Sequence, residues 1–551
     1  MFKIDIKKYD REIKVKPDTT LKDIIRIAGL KPVRPILGAK VNNRIRELSS
    51  KIYSHSVVEY IDTSYEDGFR MVQRGLIFLL YIASAELFPD RKLKVLHSIK
   101  NGLYCELGNW IKEEEIEQLK QRMTALVEQA LPFKKEKLPK KLAMGLFEKN
   151  GDYEKVRLFK YRKKSTVSVY RCGDLDYVNY FYGYMPPNTS CLNLFDLMTY
   201  SQGFLLLTPT TTSPDHLPHN RGLPKFSQVF LQYQRWGEIL KIETIGDLNE
   251  KIASGKAREV IMMSEALHSK KISKVSEEIG KHIEKRLILL AGPSSSGKTT
   301  TAKRLSLQLM AEGLQPVTIS LDDYFVGRDK TPLDEDGNYD FESIDALDLD
   351  LFNEHLIKLM DGKEVEIPKF DFITGTRKYV GNKLKITKEQ PIIVEGIHGL
   401  NEKLTQKIRR RNKFKIYISA LTQLSIDHVN RIPTTDTRLV RRIVRDHRSR
   451  GYSAIRTISM WPSVRKGERR NIFPYQEEAD FMFSSALVYE LAILKVYAEQ
   501  LLVQISEDDP ENTESKRLLK FLEYFIPLTN VEDIPRNSIV REFIGGSIFE
   551  Y

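Results

Sequence analysis

Gly292-Pro-Ser-Ser-Ser-Gly-Lys-Thr299 is the stretch that decides the fold of the C-terminal half of this 551-residue sequence. The apolar run Arg286-Leu-Ile-Leu-Leu-Ala291 precedes it and Thr300-Thr-Ala-Lys-Arg304 follows it, which predicts a buried parallel strand, a tight turn and a helix. In such a loop backbone N–H groups surround phosphate oxygens, Lys298 adds a positive charge and Thr299 can ligate magnesium. The alternative is an ordinary turn rich in glycine and serine. Such a turn does not require these residue types at every position between the predicted strand and the predicted helix. The stretch therefore predicts a phosphate-binding loop.

Acidic residues lie at the carboxyl ends of two predicted strands in the same unit. Asp322 and Asp323 lie just past the end of the strand predicted in Thr318-Ile-Ser-Leu-Asp-Asp323, and Glu395 ends the strand predicted in Pro391-Ile-Ile-Val-Glu395. Ligands of α/β folds bind at the carboxyl ends of parallel strands, and phosphoryl transfer needs carboxylates for magnesium and for the attacking hydroxyl. We predict that Asp322 is the catalytic carboxylate and that Glu395 binds magnesium with Thr299. Helix caps and turn residues are the alternative.

Arginines are concentrated in one predicted helix between Asp436 and Gly451. They are Arg438, Arg441, Arg442, Arg445, Arg448 and Arg450. The planar guanidinium group meets phosphate oxygens with two donors, and its charge offsets charge in a transition state. The helix is predicted to clamp ATP, with a solvated basic helix as the alternative.

The composition indicates a folded chain with a basic balance. Lys and Arg number 87 against 74 Asp and Glu, for a formal charge of +13, which favours anionic partners such as ATP or RNA. The three cysteines form no closely spaced pair, as expected in a reducing cytoplasm. The longest apolar run, Gly75 to Ala85, is too short to span a bilayer, so we expect a cytoplasmic protein without a membrane segment.

The first half has different patterns. Alternating residues from Phe2 to Val15 predict two strands, and Thr20-Leu-Lys-Asp-Ile-Ile25 predicts a capped helix start. A larger α+β unit follows Asp62. Within it, Lys134-Lys-Glu-Lys-Leu-Pro-Lys-Lys141 is predicted as a solvated loop, with an RNA contact as the alternative.

From Arg286 to Leu502 the sequence resembles the uridine kinase and phosphoribulokinase family. The likeness is carried, in order, by the phosphate loop, Leu321-Asp-Asp-Tyr-Phe325, Pro368-Lys-Phe-Asp-Phe-Ile373 and Asp436-Thr-Arg-Leu-Val-Arg-Arg442. It implies an ATP- and Mg²⁺-dependent kinase in which Asp322 and Lys298 are catalytic. It also implies these binding residues: for ATP, Gly292, Pro293, Ser294, Ser295, Ser296, Gly297, Lys298, Thr299, Thr300 and the lid residues Arg445 and Arg450; for ribose, Glu342 and Arg442; beside the base, Phe370.

At two positions the sequence departs from the family pattern, and both positions bear on which acceptor is bound. Positions where uridine–cytidine kinases have a base-reading histidine and glutamine correspond to Gly375 and Met460, which offer no side-chain group or only a weak acceptor. Our leading expectation is a nucleoside kinase, and a sugar or polyol kinase is the first alternative. An RNA-binding, nucleotide-responsive regulatory protein is the second. Oligomeric state is left open.

The first 200 or so residues resemble the N-terminal part of threonyl-tRNA synthetase, a TGS domain followed by the second-additional domain. Gly38-Ala-Lys-Val-Asn-Asn43 and Glu86-Leu-Phe-Pro89 carry this likeness. The positions of the synthetase's HxxxH pair, Cys and His correspond here to Arg74, Phe78, Phe181 and Met185, so we predict neither a metal nor editing. RNA binding, binding of a small regulator and a scaffold role stay open.

The predicted architecture is multidomain, combining α/β and α+β units. Its parts are a TGS-like β-grasp domain (1–62), a synthetase-like α+β domain lacking metal ligands (63–225), a helical connector (226–284), a P-loop kinase domain with a mainly parallel sheet (285–505) and a C-terminal extension (506–551).

Overall fold

The computed structural model describes residues 1–108, 110–218, 223–335, 337, 339–371, 374–422 and 424–551. No helix among them is long and apolar enough to cross a membrane. Phe372 and Ile373, the last two residues of one kinase-like motif, lie outside this part of the chain.

The N-terminal unit is a five-stranded sheet with one helix against it. Its elements are β1 (Phe2–Ile6), β2 (Arg11–Val15), α1 (Leu21–Ile27), β3 (Gly38–Val41), β4 (Arg44–Arg46) and β5 (Ser56–Ile61). The strand order is β2-β1-β5-β3-β4, and only the β1–β5 pair is parallel. The Thr20 hydroxyl accepts a hydrogen bond from the Asp23 N–H, 3.1 Å away, and so caps α1 as its sequence predicts.

The second unit places helices against two antiparallel sheets. Its elements are α2 (Glu66–Leu87), β6 (Leu93–Ile99), β7 (Gly102–Leu107), α3 (Glu113–Glu128), β8 (Phe133–Pro139), α4 (Lys140–Lys149), α5 (Tyr153–Lys160), β9 (Thr166–Cys172), β10 (Val178–Asn179), β11 (Asp196–Tyr200) and β12 (Gly203–Leu207). The sheet orders are β11-β12-β7-β6 and β10-β9-β8.

The prediction of a loop at Lys134–Lys141 is wrong. This segment contains most of β8 and the start of α4, and β8 pairs with β9 along its full length. Strand β8 is an edge strand, where exposed lysines and a terminal proline hinder pairing with other chains. Edge strands therefore share the composition of solvated loops.

Helices α6 (Pro224–Leu240), α7 (Ile245–Ala253) and α8 (Ala257–Gly280) lead to the C-terminal unit. That unit contains β13 (Leu287–Ala291), α9 (Lys298–Ala311), β14 (Val317–Ser320), α10 (Leu349–Met360), β15 (Val365–Glu366), β16 (Lys369–Asp371), β17 (Thr376–Lys378), β18 (Lys383–Leu384), β19 (Ile392–Gly396), β20 (Lys413–Ser419), α11 (Thr434–Arg450), α12 (Ala454–Asn471), β21 (Phe481–Ser484), α13 (Glu490–Leu502), α14 (Asn512–Leu522) and α15 (Val540–Ile544).

The main sheet of this unit is parallel throughout. Its order is β14-β19-β13-β20-β21, and each neighbouring pair runs in the same direction. The buried strand β13 lies at the centre with all five residues in the core. The carboxyl ends of β14, β19 and β13 consequently meet at one edge, where the candidate site forms.

One apolar cluster joins this unit to the segments on either side of it. It contains Ile261 and Ile272 of α8, Ile288 of β13 and, from the C-terminal segment, Leu518 and Phe543. The helices before residue 285 and the chain after residue 505 therefore pack into the same core as the parallel sheet.

Candidate functional site

The phosphate loop connects β13 to α9 by a turn that only particular backbone angles allow. Ser295 and Gly297 have φ values of 57° and 80°, and α9 begins at Lys298. A Cβ added to Gly292 would lie 2.0 Å from the Ile418 carbonyl oxygen, so this position has room for glycine alone. The first N–H groups of α9 lack intrahelical partners, which suits them to binding an anion.

Lys298, Thr299 and Glu395 meet at the start of α9. The Lys298 Nζ donates to the Pro293 carbonyl at 3.3 Å, and the Thr299 hydroxyl donates to Glu395 Oε1 at 3.2 Å. Burial, with a further contribution from the charge of Asp322, raises the pKa of Glu395 to about 7 against an opposing effect of Lys298. A nearby cation would stabilise the ionised carboxylate.

This group of oxygens fits magnesium held together with ATP. Within the described part of the chain, no three His, Cys, Asp or Glu side chains cluster closely enough to hold a metal by themselves. Magnesium is usually held by one or two protein oxygens, by water and by substrate phosphates. The Thr299 hydroxyl and the buried Glu395 carboxylate provide such hard oxygen ligands beside the phosphate loop.

The two aspartates after β14 point in different directions. Asp323 Oδ1 accepts from the Phe370 N–H at 3.3 Å, and burial raises the pKa of Asp323. The side chain of Asp322 is exposed, although its charge contributes to the raised pKa values of Glu342 and Glu395. Asp322 therefore belongs to the open face of the site, and Asp323 supports the neighbouring strand β16.

Glu342 lies among charged groups with one carboxylate oxygen unused. Burial and then the charge of Glu468 raise the pKa of Glu342 to about 7, while Arg442 and Lys298 oppose the change. Its Oε2 atom is buried and has no hydrogen-bond partner among the described residues. A Cβ on Gly467 would lie 2.3 Å from the Glu342 Cβ, so that glycine makes room for the glutamate.

Phe370, expected beside a base, packs into the core of the unit. Its side chain is 7% exposed, and its ring centroid lies 5.6 Å from that of Phe325. At the two positions that depart from the family, Gly375 has a φ of 69° with Arg328 against it, and Met460 is 38% exposed on α12.

The arginines of α11 divide between the phosphate loop and Asp446. Arg442 Nη1 donates to the Ser294 hydroxyl at 2.8 Å. Its Nε lies 3.2 Å from Asp446 Oδ2, and Arg445 donates twice to Asp446 Oδ1, at 2.9 and 2.7 Å. Arg450 is farther, with its Nε 3.7 Å from Asp446 Oδ1. The fully buried Asp446 thus gathers these three arginines, of which Arg442 also contacts the phosphate loop.

Two further arginines of α11 hold the phosphate loop, Arg441 directly and Arg438 through Glu468. Arg438 forms a buried bidentate pair with Glu468 at 2.5 and 2.6 Å, and Glu468 Oε1 accepts from the Ser294 N–H at 3.2 Å. Arg441 donates to the Ser295 carbonyl at 3.3 Å. The arginine-rich pattern indicates this helix, but no local signal identifies Glu468, which lies 30 residues beyond Arg438.

The C-terminal segment also reaches the phosphate loop, which sequence reasoning missed. Glu542 Oε2 accepts from the Thr300 N–H at 3.3 Å and from its hydroxyl at 2.5 Å. The Tyr551 hydroxyl lies 2.9 Å from the Thr300 hydroxyl. A carboxylate therefore sits at the N-terminus of α9, against an N–H group expected to bind ATP. The 242 residues between the partners leave no local sequence signal.

In the N-terminal half, the four positions compared with the synthetase come together. The ring centroids of Phe78 and Phe181 are 5.1 Å apart, and both rings are buried with Met185. Arg74 donates instead to the carbonyls of Tyr184 and Tyr182, at 2.8 and 3.3 Å.

Comparison with known proteins agrees with the geometry of the phosphate loop. A family model described as "Phosphoribulokinase / Uridine kinase family" matches residues 287–491. A uridine kinase of Mycoplasma genitalium is 31% identical over 178 residues, covering 32% of this chain and 74% of that protein. A uridine kinase of Staphylococcus aureus is 30% identical over 208 residues, covering 38% of this chain and 91% of that protein.

Among solved structures, one described as a possible uridine kinase from Bacillus stearothermophilus is 24% identical, with 24% of this chain and 68% of that chain covered and a TM-score of 0.20. The residues matched by the family model include the phosphate loop, Glu342, Glu395 and α11, and the two uridine kinases are covered over most of their own length. Through this segment, the chain belongs to the phosphoribulokinase and uridine kinase family.

Proposed function

We propose that residues 285–505 transfer the γ-phosphoryl group of ATP to a hydroxyl of a nucleoside-like acceptor. Membership of a kinase family supports phosphotransfer from a nucleotide. The nucleoside-like acceptor is our proposal. The observation that carries it is Glu342, whose buried Oε2 atom has no partner among the described residues.

A sugar hydroxyl would satisfy this oxygen. A buried unpartnered acceptor costs about 1–3 kcal/mol, which a ligand O–H that donates to it recovers. Lys298, Arg442 and Asp322 all act on the pKa of Glu342, so the same place is close to groups suited to phosphate and to proton transfer. A ribose offers several hydroxyls in one ring and could donate to Glu342 while presenting another for transfer.

In the proposed reaction, the residues of the site have the following roles. Asp322 accepts the proton of the attacking hydroxyl, whose oxygen bonds to the γ-phosphorus as the bond to the β–γ bridging oxygen breaks and ADP leaves. The loop from Gly292 to Thr300 and Lys298 hold the phosphates. Thr299 and Glu395 hold magnesium, which offsets phosphate charge when bound. Arg445 and Arg450 reach the phosphates from α11 by loosening their contacts with Asp446.

The base-binding side supports a second candidate, a sugar or polyol kinase. Phe370 is packed against Phe325 and leaves little ring surface for stacking, and Gly375 has no side chain with which to read a base. An acceptor without a base would need neither an exposed aromatic ring for stacking nor a side chain that reads a base.

Acceptor-dependent ADP release separates these candidates. The purified chain is assayed with Mg-ATP and uridine, cytidine, adenosine, guanosine, inosine, thymidine or simple sugars, and any product is identified by mass. Nucleoside monophosphate formation supports our proposal. Turnover with sugars alone supports the second candidate, and ATP binding without turnover on any acceptor contradicts both. Glu342→Gln should raise the KM of the acceptor more than that of ATP, with exposed Glu335→Gln as its control.

For the first half, we propose a TGS-like β-grasp domain over 1–62 and a synthetase-like domain over 63–225, followed by a helical connector over 226–284 that leads to the kinase domain. The mixed sheet crossed by α1 supports the first assignment. RNA is a proposed partner of this half, supported by the basic balance of the chain alone.

A further inference from the structure

A cavity of about 380 Å³ lies where several parts of the chain meet. It is bounded by β4, by α2, by Leu103 of β7, by the loop 182–184, by the segment that enters α11, and by α14. It is separate from the phosphate loop, since none of the residues 292–300 lines it. Its volume falls in the lower part of the range of about 300–1,000 Å³ that small-molecule sites occupy.

Four cations that line this cavity have no carboxylate within ion-pair distance among the residues that the structure describes. They are Arg46 of β4, Arg74 of α2, Arg431 before α11 and Lys520 of α14. Among the other lining arginines, Arg517 is paired with Asp436 at 2.6 Å, Arg70 with Asp67 at 3.2 Å, and Arg44 with Glu507. The cavity therefore combines balanced ion pairs with an excess of positive charge.

Burial of these positive charges is unfavourable, and a bound anion would offset the unfavourable free energy. Burial, and then the charges of Lys135, Arg74, Arg162 and Lys164, lower the pKa of Lys520 to about 7. Burial likewise lowers the pKa values of Arg74 and Arg431 to about 10. A bound polyanion would raise all three pKa values and keep Lys520, the one group that is partly neutral near pH 7, in its charged form.

The backbone is shaped to bring Arg74 into the cavity. Gly183 has a φ of 131°, and a Cβ there would lie 2.5 Å from the Arg74 Cζ. The absent side chain lets the guanidinium group lie against the loop, where it donates to the carbonyls of Tyr182 and Tyr184. Lys520 Nζ lies 5.5 Å from the Tyr182 ring centroid. Apolar walls come from Ile77 and Leu103.

We propose that this cavity binds a free nucleotide, with its phosphates on Arg74, Arg431 and Lys520 and its flat base against the tyrosine and aliphatic walls. Several fixed cations favour at least two negative charges, and the small volume favours a free ligand over a folded macromolecule. Asp436 in the first turn of α11 lines the same cavity, so the ligand would contact the helix that carries Arg442 and Arg445.

Calorimetric titration of the full chain tests this site independently of turnover. The chain is first saturated with magnesium and a non-hydrolysable ATP analogue, then titrated with UMP, UDP, AMP, ADP, GMP and GDP. We expect at least one of them to bind with one additional site per chain. That affinity should fall about 10- to 100-fold in Lys520→Gln and in Arg431→Gln, because each removes a charge-assisted contact.

Lys407→Gln is the matched control, because Lys407 is half-exposed and does not line the cavity. It should leave the additional site unchanged, and all three variants should bind the ATP analogue normally. Gly183→Ala, which displaces Arg74, provides an independent variant should either charge variant fail to fold. Absence of additional binding, equal affinity in all variants, or binding of short RNA in place of every free nucleotide would overturn the proposal.

Discussion

Replacing Glu342 by glutamine should stabilise the protein, and more so as the pH rises. The pKa of Glu342 is raised from 4.5 to about 7 in the folded chain, and each pH unit between these values is worth about 1.4 kcal/mol. Below pH 4.5 the carboxyl is protonated in both states. Between pH 4.5 and 7 the unfolded chain releases the proton first, so the folded state loses stability until its own carboxyl ionises. Glutamine removes this loss.

The expected gain in free energy of unfolding is about 1 kcal/mol at pH 5.5 and about 3 kcal/mol at pH 8. Urea denaturation without ligands, followed by tryptophan fluorescence, measures it at both pH values. Glu335→Gln is the control, because Glu335 is an exposed partner of Lys466 and Arg470 and its pKa is lowered. A gain for Glu342→Gln that is the same at both pH values, or a loss at pH 8, would show that the Glu342 carboxylate does not destabilise the folded chain.

Three other substitutions test separate parts of the site. Asp322→Asn should lower kcat by about 10²- to 10⁴-fold, the usual contribution of a general base, with ATP affinity within a few-fold of wild type; calorimetry and turnover together check this. Glu542→Gln removes a negative charge from the Thr300 N–H and should tighten ATP binding about 3- to 10-fold by titration; unchanged or weaker binding would contradict this. Gly292→Ala should abolish ATP binding, because its Cβ would lie 2.0 Å from the Ile418 oxygen; normal affinity would count against the geometry of the loop.

Local sequence predicts the centre of the C-terminal unit well. The apolar runs that end at the phosphate loop and at Glu395 become neighbouring strands β13 and β19, because buried parallel strands need apolar residues on both faces. The parallel sheet is confirmed. The edge strand β8 was predicted as a loop, because its lysines and proline suit either structure.

Local sequence patterns predict neither the direction of a side chain nor contacts between distant parts of the chain. Asp322 and Asp323 follow the same strand, yet only the structure shows Asp323 bound to the Phe370 N–H. The pairing of Thr300 with Glu542 depends on the packing of α15 against the core, which no short motif encodes. The roles proposed for Glu342, Phe370 and the lid arginines stay predictions.

Analysis of the reaction products tests both the proposed phosphotransfer and its acceptor. The chain is incubated with Mg-ATP and an equimolar mixture of nucleosides and simple sugars, in parallel with Asp322→Asn, and the products are identified by mass. Our account predicts a nucleoside monophosphate formed in equal amount with ADP by the wild type and nearly absent with Asp322→Asn. ADP formed without any phosphorylated acceptor, or equal product from both proteins, would contradict it.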